Sequence, residues 1–253
     1  MAEKTVGIIG GMGPEATIDL MQRILRLTPA PEDRDMEDID HIRCLVDNNP
    51  KIPSRIKAII DKDGIDPGPF IADMAKGLES WGADFLAIPC NTAHYYYDII
   101  QSAVNIPVIN LIDLVCNHVK TNFSDNNQTL DQTGNKTKNR TKNKIGILAS
   151  TAVKITKLYS KNLAQFEIQD VWPDPDHQAI LLKVIKEIKK RNMDSKVQND
   201  YAQVCDNLLQ KGVNTAIIAC TELSILKGKT SINTVDAAEI LAMEVVRQAV
   251  NKQ

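Results

Sequence analysis

"ESWGADFLAIPCNT" (79–92) and "LLQKGVNTAIIACTE" (208–222) are two versions of one segment. Each leaves a helical pattern at a glycine, runs through a short apolar stretch and ends on a cysteine followed by polar residues. Gly82 pairs with Gly212 and Cys90 with Cys220, both at an offset of 130 residues. Upstream, "KTVGIIGG" (4–11) matches "NKIGILAS" (143–150) in the same order. Short apolar runs without polar alternation read as strands buried on both faces, and those faces need helices to cover them. The repeat therefore predicts an α/β protein of two pseudo-symmetric lobes, each a mainly parallel sheet flanked by helices.

The rest of the chain fits this rhythm. "TVGIIG" (5–10) reads as a strand and "PEATIDLMQRILRL" (14–27) as a helix, with Pro14 in its first turn and Ile18, Met21 and Leu25 as its apolar stripe. Strands are expected over 41–48, 83–90 and 106–112, and helices over 52–60 and 69–82. In the second half, strands are expected over 144–150, 166–173 and 214–220. One helix starts near Asp176 with Ile180, Leu181, Val184, Ile185 and Ile188 inward, and another runs through 201–212. The last helix opens at a capping box, Asp236 with Glu239, and returns to the first lobe. "NFSDNNQTLDQTGNKTKNRTKNK" (122–144) is too poor in apolar residues to order itself and reads as a flexible, solvated insertion loop. The first lobe is then 1–113 plus 229–253, and the second 114–228.

Bulk properties exclude several classes. With 253 residues, 43% apolar and 25% charged, the chain can bury a full core. A net charge of −2 gives no reason to expect nucleic acid or an anionic membrane. No run approaches the roughly 18 apolar residues of a membrane span, and the N-terminus enters a strand with no signal-peptide pattern. Five cysteines, an odd number, suit a reducing cytoplasm better than a disulfide framework.

The chemistry is expected at the cysteines. Ligands of open parallel sheets bind at the carboxyl ends of the strands, where both Cys90 and Cys220 lie. A lone cysteine is more often a small buried hydrophobe; a repeated pair at matching strand ends is not explained that way. Cys44, Cys116 and Cys205 sit within strand or helix patterns and read as core. Zinc would need two ligands beyond Cys90 and His94, and no C-x-x-C or H-x-x-x-H is present. His94 reads as support for the turn. Gly11, Gly13 and Ala16 fit G-x-G-x-x-A, but no acidic residue closes a strand about 20 residues on. A tight turn whose N–H groups face a carboxylate is the nearer reading. Two thiols on opposite walls of a cleft fit one reaction well, inversion of a stereocentre, with a base on one face and an acid on the other.

"VGIIGGMGPEAT", "PCNTAH" and "CTEL", in this order and spacing, resemble the aspartate racemase branch of the cofactor-independent aspartate/glutamate racemase superfamily. The resemblance spans nearly the whole chain outside 122–144. It implies an active site in the interlobe cleft, Cys90 and Cys220 as the acid/base pair, and no pyridoxal phosphate, metal or nucleotide. "DNNPKIPSR" places Arg55, and "IKEIK" places Lys189, where the branch holds substrate carboxylates. Met12 and Gly13 match its first-strand turn, and Asn91, Thr92, Thr221 and Glu222 match the residues beside its thiols. The implied substrate is aspartate, with glutamate second. Gly10–Gly11 and "CTE" argue against the glutamate racemase branch, and Val153 stands where relatives often carry threonine. A hydantoin racemase or maleate isomerase type, or a two-lobed amino-acid binding protein without catalysis, are the alternatives. The expected partners are a small amino acid and, as an open option, a second copy in a homodimer. The expected location is cytoplasmic.

Overall fold

The computed structural model describes residues 4–126, 128–130, 136–138, 143–226 and 232–250. It divides into two compact units. One contains the described residues up to Leu111 and from Ala238 onward; the other spans Ile112–Ala237.

In the first unit, β1 (Val6–Gly10) is wholly buried and lies between two parallel neighbours. β2 (Cys44–Asn48) pairs Val46 with Ile8, and β3 (Phe85–Ala87) pairs Ala87 with Ile8. Helix α1 (Pro14–Leu27) connects β1 toward β2, and α2 (Gly68–Ser80) leads into β3. The helix expected over 52–60 starts later, at Arg55, and is wound as a π-helix over Lys57–Asp61. After Cys90 a 3-10 turn at Thr92–Tyr96 runs into α3 (Tyr97–Ser102).

The second unit takes in α4 (Leu111–Asn126) from its second residue. A short antiparallel pair follows, β4 (Gln128–Leu130) with β5 (Lys136–Lys138). β6 (Asn143–Leu148) is central to a four-stranded parallel sheet. Next come α5 (Thr151–Thr156), α6 (Leu158–Gln165), β7 (Ile168–Val171), α7 (Pro175–Lys189), α8 (Ser195–Gln210), β8 (Thr215–Ile218) and β9 (Asn233–Asp236), in the order β7-β6-β8-β9. The chain then rejoins the first unit through α9 (Ala237–Val250).

Both units repeat one plan. β1 lies between β2 and β3 as β6 lies between β7 and β8, all parallel. The glycines of the sequence repeat have one conformation and one job. Gly82 (φ 97°) follows α2 and Gly212 (φ 74°) follows α8, each turning the chain from a helix toward its strand in the left-handed region that other residues resist. The core of the first unit includes Ile9, Ile71, Leu78, Leu86 and Ile100. That of the second gathers Leu148, Leu181, Val184, Tyr201, Leu208 and Ile218.

Four further expectations need correction. Strand 83–90 ends at Ala87, because Pro89 has no N–H for a ladder and the Cys90 N–H turns back to the Ile88 carbonyl at 2.8 Å. The strand expected over 106–112 is one bridge, Leu86 with Val108; Leu111 and Ile112 belong to α4, whose buried Val115, Cys116 and Val119 continue their helical spacing. On α1 the period is right but the face is reversed. Ile18, Met21 and Leu25 are exposed, while Ala16, Thr17, Leu20 and Ile24 are buried, since Thr17 is drawn in to bind the Gly11 N–H. The segment 122–144 is not a loop throughout: its first residues finish α4, and β4 and β5 lie inside it. The remaining positions expected to be flexible, 127, 131–135 and 139–142, fall outside the described residues. Helices α5 and α6 and strand β9 were not expected. On α7, Leu181, Val184, Ile185 and Ile188 are buried as expected, with Ile180 half-buried.

Candidate functional site

The first group of expected residues gathers at the carboxyl end of the β2-β1-β3 sheet. Gly11 has φ 86°, and a Cβ there would fall 2.3–2.5 Å from backbone atoms of Asn49. Only glycine lets the turn after β1 lie against the end of β2. Its N–H donates to Thr17 Oγ1 at 2.9 Å, which ties the turn to α1. Met12 is buried, and Gly13 is the extended residue ahead of Pro14. Arg55 brings its guanidinium to this turn, donating to the carbonyls of Pro53 (3.1 Å), Ile52 (3.4 Å) and Met12 (3.5 Å). The structure thus brings Arg55 to Met12, two of the residues expected at the site.

Cys90 is 9% exposed and lies three residues beyond β3. Asn91 beside it is buried and Thr92 is half-buried. His94 supports the turn: Nδ1 lies 2.9 Å from the Cys90 carbonyl oxygen, and Nε2 lies 3.4 Å from that of Ile109. A carbonyl oxygen only accepts, so the nearer ring nitrogen carries a hydrogen.

The second group gathers at the carboxyl end of β8. Cys220 is half-buried, two residues past the strand, and its Sγ donates to Glu222 Oε2 at 2.9 Å. The other oxygen of Glu222 accepts from Lys189 Nζ at 3.1 Å. Lys189 is the last residue of α7, and Thr221 and Glu222 open the 3-10 turn Thr221–Leu226. Burial would raise the Glu222 carboxyl, but the Lys189 charge and the Cys220 hydrogen bond outweigh it and hold the group below the usual carboxylate range. The far end of this turn is fixed by Ser224 Oγ, which donates to Asp236 Oδ1 at 2.9 Å. Gln178 reaches from α7 to donate to the Ala149 carbonyl at the end of β6, also at 2.9 Å.

Sequence reasoning missed Ser224 and Gln178. Polar residues on inner helix faces are their only signal, and that signal does not name a partner. It named Lys189, Glu222 and Cys220 separately but not the chain of contacts that joins them. Cys116 and Cys205 are core residues, as expected, and burial followed by the nearby Asp113 pushes the Cys116 thiol up to about 12. Cys44 is half-buried on β2. Among the described residues no three His, Cys, Asp or Glu side chains group as a metal set. Among them, too, no helix is long and apolar enough to cross a membrane.

A family model described as Asp/Glu/Hydantoin racemase matches residues 9–245. The chain belongs to that family. The broad specificity amino-acid racemase RacX of Bacillus subtilis is 34% identical over 112 residues, which are 43% of this chain and 46% of RacX. The match therefore spans about half the length of that relative. Among solved structures, the Picrophilus torridus aspartate racemase is similar with a TM-score of 0.79 and 28% identity, covering 98% of this chain and 95% of that one. An aspartate racemase homologue from Pyrococcus horikoshii has a TM-score of 0.71 at 22% identity, covering 98% and 100%. This racemase-family chain shares their fold over 98% of its length.

Proposed function

We propose that this chain is an amino-acid racemase that inverts the Cα of aspartate, and secondarily glutamate, by proton transfer between Cys90 and Cys220 without a cofactor. One observation carries the reading: two parallel sheets of the same strand order each place a thiol just past the equivalent strand, Cys90 after β3 and Cys220 after β8. Core filling accounts for one such cysteine but not for the repeated position. The family match and the likeness to the Picrophilus torridus aspartate racemase support the reaction class and the substrate.

The proposed reaction balances simply. The thiolate of one cysteine takes the Cα proton, and the C–H electron pair is left on the substrate, spread into its α-carboxylate. The thiol of the other cysteine then gives its proton to the opposite face of Cα. The products are the other enantiomer and a protein with the two sulfur protonation states exchanged. Donors around the substrate carboxylates carry the stabilisation of that charge. Arg55 at the β1 turn and Lys189 at the end of α7 are the proposed cations for them.

The test is to incubate the protein with each L-amino acid in D2O and follow the Cα–H signal by NMR. Loss of the signal for aspartate, with D-aspartate formed, supports the reading. Exchange across many neutral amino acids would instead favour breadth of the kind that the name of RacX describes. No exchange with any amino acid would leave the binding-protein or maleate-isomerase alternatives.

A further inference from the structure

We propose that Glu222 is a positioning residue that keeps the proton on Cys220 in the resting protein, so that Cys220 starts as the acid and Cys90 as the base in one direction, the roles being exchanged in the other. This assignment rests on the two-thiol reading above. Its warrant is a linear chain of three groups, Cys220 Sγ to Glu222 Oε2 at 2.9 Å and Glu222 Oε1 to Lys189 Nζ at 3.1 Å. A sulfur and a carboxylate oxygen at that distance need one hydrogen between them, because two bare anions would repel. The carboxyl is by far the stronger acid, and Lys189 further favours its ionised form, so the hydrogen belongs to sulfur. The Glu222 side chain is only 13% exposed, which limits how far water can weaken the arrangement.

Among the described residues, Lys189 reaches this turn from α7, β8 (Thr215–Ile218) carries no charged side chain, and from β9 the Asp236 carboxylate accepts from Ser224. When Cys220 gives up its proton, the new thiolate stands beside an anion and is only partly compensated by Lys189. Removing either neighbour must therefore move the thiol, and in opposite directions. A merely structural Glu222 would move neither.

The experiment measures alkylation of Cys220 by iodoacetamide from pH 6 to 10 in the full-length Cys90→Ser protein, resolved by mass spectrometry of the Cys220 peptide. Only the thiolate reacts, so the rate reports its fraction. Adding Glu222→Gln should raise the rate at pH 7 about tenfold, equivalent to a midpoint lower by about one pH unit. Adding Lys189→Met should lower the rate several-fold. An unchanged or slower rate in Glu222→Gln, or shifts of the same sign in both variants, would overturn the assignment. Hydrogen exchange in D2O by the wild-type protein separates the two readings. Exchange without the Glu222 effect removes this assignment alone. The alkylation pattern without exchange removes the racemase reading, and the acid role with it.

Discussion

Arg55 and Lys189 bear the same charge in different company. Arg55 is surrounded by carbonyl oxygens, which orient its guanidinium without neutralising it. Lys189 already holds a carboxylate, Glu222, and a substrate must compete with it. If both cations bind aspartate, Arg55→Ala should raise KM by roughly 10–100-fold, the worth of a charge-assisted hydrogen bond. Lys189→Ala should cost less than about tenfold, since part of its pairing energy is already spent on Glu222. Steady-state kinetics with L-aspartate measure both, and a larger loss for Lys189→Ala would show that Glu222 does not compete. At this scale the sequence offered candidate residues and was silent about how they pair. Lys189 and Glu222 are marked by the resemblance to the racemase branch; from the residues alone Lys189 reads as an ordinary solvated charge on a helix. Their contact is made by the end of α7 meeting the turn after β8, and no local pattern encodes that meeting.

Among the elements, α1 shows what periodicity can and cannot decide. Ile18, Met21 and Leu25 recur at helical spacing, and so do Ala16, Leu20 and Ile24; spacing alone cannot choose between the two faces. The choice is made by contacts distant in sequence. Thr17 binds the β1 turn, and Arg23 and Arg26 reach Glu239 on α9, with Arg23 Nη1 at 2.5 Å from its carboxylate. Ile24→Ala should therefore destabilise the protein by about 2–4 kcal/mol, and Leu25→Ala by less than about 1 kcal/mol. Urea unfolding distinguishes them, and equal losses would mean that the exposed face is covered in solution. The ion pairs with α9 should also leave a mark on pH dependence. Burial works to raise the Glu239 carboxyl, but hydrogen bonds from Arg26 and Arg23 prevail and lower it. A carboxyl lowered by folding contributes stability above its unfolded value of about 4.3, and that contribution disappears as pH falls through the folded value. Glu239→Gln should thus weaken the protein by about 1 kcal/mol at pH 7, with the difference from wild type shrinking as pH falls below the unfolded value and through the lowered folded one. The strand at 106–112 failed for a related reason: an apolar run of that length is also how a buried helix begins.

Taken as a whole, the molecule was legible because it repeats itself. Two strands, two glycines and two cysteines at matched positions imply two sheets of one plan, and the β2-β1-β3 and β7-β6-β8 orders agree. What the repeat does not contain was missed: α5 and α6 follow β6 where β1 is followed by one long helix, and β9 adds an edge to the second sheet only. The same repetition gives the sharpest test of mechanism. If one thiol serves each face of the substrate, neither Cys90→Ala nor Cys220→Ala can racemise, yet each keeps one-sided chemistry. The remaining thiolate can remove and return a proton on its own face, but nothing delivers one to the other. Cys90→Ala should exchange the Cα hydrogen of one aspartate enantiomer slowly in D2O, and Cys220→Ala that of the other, both without inversion. A covalent mechanism would make one cysteine indispensable and the other helpful, and purely structural cysteines would leave both variants active. Deuterium incorporation measured separately for L- and D-aspartate distinguishes the three. Residual exchange on the same enantiomer in both variants would contradict one thiol per face.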